Sequence, residues 1–199
     1  MATSLSALFD LVLAAFNMSP NFFHNTNDLL KLGVKAGKNC KVHSTVMITE
    51  PKNVVLGDNV RIDSFTSIVS SSKVKIESFI HIGSHVLLHA GQKGIELKKY
   101  CGVSSGVKIF SSTDDYSGKN FFGPFNKNSK KDVLSKKIIL REYCIIGTNS
   151  VVVPNAAFGE GTVIGALSLV SKKLDKWSIY YGQPLKYLMP RSKKFLKKI

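Results

Sequence analysis

Apolar side chains recur at every sixth residue through most of this 199-residue chain. Leu140, Ile146, Val152, Phe158, Ile164 and Val170 form one unbroken series. The same spacing runs through Ala36, Val42 and Ile48, then Leu56, Ile62 and Ile68, then Ile76, Ile82 and Leu88, then Leu97, Val103 and Ile109. Four residues after many of these positions comes a small or β-branched side chain, as at Cys40, Thr66, Val86, Ser150, Ala156 and Thr162. A period of six does not fit 3.6 residues per turn, but it is even and so matches strand alternation. A chain that turns after each six residues lines a narrow tube with these side chains and stacks each coil on the last. Gly57, Asn59, Gly83, Gly147 and Asn149 supply the backbone freedom that such corners need.

Three hexapeptides per coil put coil starts at 36, 56, 76, 97, 140 and 158. Six coils at strand spacing make a prism about 29 Å tall. Extra residues fall only after the third hexapeptide, so one corner alone carries the loops. The longest begins with SSTDDYSGKNFFGPF at Ser111, and the repeat resumes in phase at Leu140. The pattern predicts an all-β solenoid over 34–177 with a loop excursion over 110–139. A helical segment over 1–33 precedes it, and a basic tail over 178–199 follows it.

The opening stretch carries Leu5, Leu8, Phe9, Val12 and Phe16 at amphipathic helical spacing. It lacks a basic leader region and contains Asp10, so it reads as a helix packed on the body or a partner rather than a signal peptide. No apolar run reaches the roughly 18 residues of a membrane span. Cys40, Cys101 and Cys144 are odd in number, widely spaced and free of a CxxC pair, which fits a reducing cytoplasm. All three fall in the same interior position of their coils and read as core fillers. The formal charge is +15, with the excess concentrated after Ser171. An anionic membrane surface or a polyphosphate ligand is the functional reading of that charge, and no nucleic-acid-binding signature accompanies it.

The repeat resembles that of the hexapeptide acyltransferases with a left-handed parallel β-helix. The resemblance covers roughly residues 34 to 190. GVSSGVKIFSSTDDYSG (102–118), IHIGSHV (80–86) and YYGQPLKYL (180–188) draw it toward sugar O- and N-acetyltransferases of surface-polysaccharide (O-antigen or capsule) biosynthesis. It implies a cytoplasmic homotrimer that binds acetyl-CoA between neighbouring prisms and needs no metal. The acceptor it implies is a sugar hydroxyl on a nucleotide-linked, lipid-linked or oligosaccharide substrate. N-acetylation of a nucleotide-linked amino sugar is the alternative, and a zinc lyase of the carbonic anhydrase type a remote one.

Acyl transfer needs a base for the acceptor proton and a donor for the oxyanion. Histidine is the usual base. Relatives of the galactoside and maltose type carry theirs in the long excursion, but here that segment has no histidine and presents Asp114 and Asp115. His81, in the IHIG stretch, is therefore the first candidate for the base. His85 is second and His89 third, His89 also being a substrate contact. Asp114 or Asp115 would orient the imidazole, bind sugar or act as base. Tyr116, Ser111 and Ser112 are further acceptor contacts, with Phe121, Phe122 and Phe125 anchoring the arm. For the coenzyme, the resemblance points to Gly147, Gly165, Ala166, Ser168, Lys172, Lys173 and Pro184, with Arg191 on the 3′-phosphate. Trp177 is expected to cap the open end of the prism.

Overall fold

A computed structural model describes residues 22–119 and 133–198. The helix expected on Leu5 to Phe16 and the aromatic anchors Phe121, Phe122 and Phe125 lie outside them. The described chain forms a left-handed parallel β-helix with three faces. On the second face, Val42, Ile62, Ile82, Val103, Ile146, Ile164 and Tyr180 are register partners in consecutive coils. The third face stacks Ile48, Ile68, Leu88, Ile109, Val152 and Val170 in the same way. The first face runs from Lys35–Ala36 to Ile138–Leu140 as a five-stranded ladder. There the ladder breaks, and among the described residues Ala157–Phe158 pairs only with Lys173–Leu174. Six complete coils begin at the expected positions.

A partial seventh turn follows, because Leu174 takes up the first-face position and Ser178–Tyr181 joins the second face. Residues expected to form a tail thus begin as solenoid. Lys186–Pro190 then folds back antiparallel across its end. At the other end, Phe23–His24 pairs antiparallel with Lys41–His43. The helix Thr26–Lys31 closes that end and buries Leu29. Its first turn is held by a capping box in which Asn25 accepts from the Asp28 amide and the Asp28 carboxylate accepts from the Asn25 amide.

The corners explain why the period is six. Among the described residues, eleven non-glycine residues have positive φ, including Asn59, Phe79, His85, Tyr100, Tyr143 and Trp177, and each lies three residues after an inward-facing apolar side chain. A left-handed residue there turns the strand by one face, at about 1 kcal/mol for a side chain with Cβ. Stacking offsets that cost along the first corner. Phe79 and Tyr100 rings lie 5.1 Å apart at 9°, and Tyr100 and Tyr143 lie 5.2 Å apart at 2°. Trp177 ends the column against Tyr143 and Phe195.

Inside the tube, Cys40, Cys101 and Cys144 are buried free thiols. Their sulfurs donate to backbone carbonyls, as Cys144 Sγ does to Gly159 O at 3.2 Å. Among the described residues no helix is long and apolar enough to cross a membrane.

Candidate active site

The outer side of the second face carries Arg61, His81, Gly102 and Ile145 in successive coils. Strand alternation points these residues away from the core while Ile62, Ile82 and Val103 fill it. Asp63, two residues beyond Arg61, reaches back to His81. Its Oδ2 lies 2.7 Å from His81 Nε2, and its Oδ1 accepts from Arg61 Nε at 2.7 Å. A carboxylate can only accept, so Nε2 carries the hydrogen and the lone pair of His81 is left on Nδ1. Burial alone would raise the Asp63 pKa, but hydrogen bonds from Arg61 and His81 outweigh it and hold the carboxyl below the usual range.

Next to this pair lies a cavity of about 320 Å³, lined by His81, Asp63, Gly102, Ser104, Ile145 and Thr148 among others. Gly102 opens it. A Cβ there would meet only Ile145 side-chain carbons, at 3.9 Å or beyond, which is ordinary contact. Gly83 and Gly147 are glycine for another reason, since a Cβ at Gly147 would come within 2.5 Å of the Ala166 amide nitrogen in the next coil. Those two permit close stacking of coils, whereas Gly102 leaves space where a side chain would fit. The cleft therefore offers a base-competent nitrogen and the Ser104 hydroxyl beside an apolar wall.

The remaining candidates fall into separate places. His85 sits at the second corner with positive φ, stacked on Phe65 at 5.2 Å. His89 is on the third face beside Phe110, with Nδ1 buried and without a hydrogen-bond partner among the described residues. The three histidines thus occupy different sides of one coil. No group of three or more His, Cys, Asp or Glu residues among the described residues is placed to hold a metal ion.

The excursion leaves the third face as a short hairpin, Ser112–Thr113 with Leu134–Ser135. Asp114, Asp115 and Tyr116 line a cavity of about 620 Å³ at its base, and Tyr116 is 90% exposed. Asp115 Oδ1 accepts from the Ser117 amide at 2.8 Å. Ser111 is fully buried, and its hydroxyl accepts from the Gly91 amide, so it roots the excursion. Ser112 begins the hairpin next to it. The cavities at His81 and at Asp114 share no lining residue within one chain.

The coenzyme candidates divide likewise. Gly147, Gly165 and Ala166 lie together on the second corner, directly above Ser104 along the axis. The Gly147 and Gly165 amides already donate to Ile164 and Tyr180 carbonyls. Ser168 is buried and accepts from the Gly182 amide at 2.8 Å, which ties that corner to the turn holding Pro184. Lys172 and Pro184 line a cavity of about 440 Å³ there, with Lys172 Nζ donating to Leu185 O. Lys173 is elsewhere, in a first-face cleft with Lys137 and Arg141 where the ladder breaks. Arg191 is at the first corner, where its guanidinium donates to Tyr143 and Gly161 carbonyls and lies over Trp177.

Asp63, Arg61, Gly102 and Ser104 escaped the sequence reading. The signal was present, because coil starts at 56 and 76 put Arg61 in register with His81 and Asp63 within reach of it.

No protein-family model matches the chain. It is 31% identical over 170 residues to the dTDP-4-amino-4,6-dideoxy-D-glucose acyltransferase of Escherichia coli, covering 84% of this chain and 88% of that protein. The chain belongs to the sugar acyltransferases built on a left-handed parallel β-helix, and it is an acyltransferase. AntD, an N-acyltransferase from Bacillus cereus, matches at TM-score 0.84 and 35% identity in a crystal structure with dTDP-4-amino-4,6-dideoxyglucose and coenzyme A. That match covers 90% of this chain and 96% of AntD. A putative colanic acid biosynthesis acetyltransferase, WcaF of Escherichia coli K12, is 27% identical over 78% of this chain and 69% of its own length.

Proposed function

We propose that this enzyme transfers an acetyl group from acetyl-CoA to the amine of a nucleotide-linked amino sugar, in surface-polysaccharide or glycoconjugate biosynthesis. The hydroxyl acceptor expected first from sequence gives way to the amine because the relatives above 30% identity are named for amino sugars or N-acyl transfer. The observation that carries the mechanism is the Asp63–His81 pair beside the cleft opened by Gly102.

The acceptor amine attacks the thioester carbonyl, and the Ser104 hydroxyl in the cleft lining donates to the developing oxyanion. His81 Nδ1 takes the proton that the amine gives up, while Asp63 holds the ring and supports the imidazolium. Collapse breaks the C–S bond, and the thiolate leaves with that proton as CoA thiol. The pantetheine arm follows the small-residue corner of Gly147, Gly165 and Ala166, with its phosphates near Lys172 and Pro184. Asp114, Asp115 and Tyr116 grip the sugar from a neighbouring subunit of a cytoplasmic homotrimer, which is how two cavities separated within one chain would meet.

The test is CoA-thiol release from acetyl-CoA with nucleotide-linked amino sugars and their hydroxyl counterparts. Turnover with the amine, lost by orders of magnitude in His81→Ala at unchanged thermal midpoint, supports the proposal. Turnover confined to hydroxyl acceptors, or a near-normal rate in His81→Ala, refutes the acceptor or the base respectively.

A further inference from the structure

The end of the solenoid carries a surface that the acyl-transfer site does not use. Lys186–Pro190 crosses that end as an edge strand, paired on one side only among the described residues. All five of its residues are exposed, and three consecutive ones are large and apolar: Tyr187, Leu188 and Met189, each at least 50% exposed. An exposed apolar run of this kind marks an interaction surface.

Its electrostatic setting is one-sided. From 186 to 197 the chain reads KYLMPRSKKFLK, with no acidic residue. Lys186, Lys193, Lys194 and Lys197 are exposed, and among the described residues none of them forms an ion pair. Among the described residues the lysines that do form ion pairs are Lys52 and the first-face set of Lys75, Lys98 and Lys137, which meets Glu77 and Glu96. The chain returns from Pro190 to Trp177, where Arg191 N donates to Trp177 O, Lys193 Nζ lies over the indole ring and Phe195 packs against Trp177 and Tyr143, so the lysine-bearing last segment is fixed to the C-terminal turns.

We propose that this end of the solenoid docks on an anionic lipid surface. Tyr187, Leu188 and Met189 enter the headgroup region, and Lys186, Lys194 and Lys197 face the lipid phosphates. Exposed apolar side chains in a basic C-terminal stretch that lacks acidic residues fit an interface that is both oily and negatively charged. Each lysine near such a surface strengthens binding by about fivefold.

Vesicle co-sedimentation of the full chain tests this, using phosphatidylcholine with phosphatidylglycerol against phosphatidylcholine alone. Binding to the anionic vesicles alone, weakening as salt is raised, is expected. Lys194→Glu with Lys197→Glu should weaken it by at least about twentyfold. Leu188→Ser with Met189→Ser should weaken it while leaving oligomer mass and thermal midpoint unchanged. Equal binding to both vesicles, no binding to either, or unaltered binding in the lysine variant overturns the proposal. So does loss of oligomer mass in the Leu188 and Met189 variant, which would make the strand a contact between copies of the chain.

Discussion

Replacing Asp63 by Asn tests whether the Asp63–His81 contact sets which imidazole nitrogen faces the acceptor. The Arg61 side chain donates to one Asp63 oxygen at 2.7 Å. In Asp63→Asn that donor pins the amide oxygen in place, so the amide NH2 is turned toward His81 Nε2. Nε2 must then accept, the hydrogen moves to Nδ1, and the acceptor amine meets an N–H instead of a lone pair. A hydrogen bond to a charged partner stabilises by about 1.5–3 kcal/mol, or roughly 10- to 150-fold in a tautomer ratio. The His81 side chain is 60% exposed, so competition from water favours the lower part of that range. We expect kcat to fall about 10- to 30-fold in Asp63→Asn, with KM for acetyl-CoA little changed. Asp63→Ala should be milder, because it leaves both tautomers accessible. The assay is steady-state CoA-thiol release across pH, with thermal midpoints confirming the fold. If Asp63→Ala is the worse of the two, Asp63 acts through its charge and the tautomer argument fails. If Asp63→Asn stays within twofold of wild type, the pair has no catalytic part.

Gly102→Ala should leave the thermal midpoint within about 1 °C, since its Cβ meets only ordinary contacts, while Gly102→Leu should fill the cleft and raise KM at unchanged stability. Gly147→Ala should destabilise by about 2 kcal/mol or more in a denaturant titration, because its Cβ collides with the next coil. Ile82→Ala, at a fully buried second-face position, should cost about 3–4 kcal/mol in the same titration. Glu96 titrates at about 2, chiefly through hydrogen bonds from Lys137 and then Lys98. Its folded pKa is depressed, so its stabilisation is complete above about pH 4.5 and is lost as pH falls toward 2. The ceiling is about 3 kcal/mol, and the half-exposed Lys137 lowers it to about 1–2 kcal/mol. Glu96→Gln should lose that amount at neutral pH and match wild type near pH 2 in urea melts.

Nearly all of the solenoid was legible because its constraint is one-dimensional. Leu56, Ile62 and Ile68 must face inward at a spacing of six, and a slip of one residue would turn them to solvent. The partial seventh turn was not legible, because Leu174 follows Val170 by four residues and breaks the count. The site was harder to read for a physical reason. Outward positions on a strand carry no periodic demand, so nothing local marks Asp63 or Gly102 apart from neighbours that merely face water. Only the coil-to-coil register singles them out, by setting Arg61 beneath His81 and Gly102 above it. Arg191 carries a second demand that sequence does not show: backbone carbonyls of Tyr143 and Gly161 take its Nη1 donors, so it also ties the last turn to the first corner.

The aromatic column on the first corner also makes the protein its own optical gauge. Trp177 is the only tryptophan in the chain, and it ends a stack whose other members are Phe79, Tyr100 and Tyr143. Tyrosine excitation therefore funnels upward into a single emitter at the C-terminal end. Coils contact mainly their immediate neighbours, so such a rod melts from its ends inward. Tryptophan emission will register loosening of the last turn, while energy transfer from Tyr100 and Tyr143 reports the coils beneath it. The order in which the two signals fade reads out the direction in which the rod comes apart.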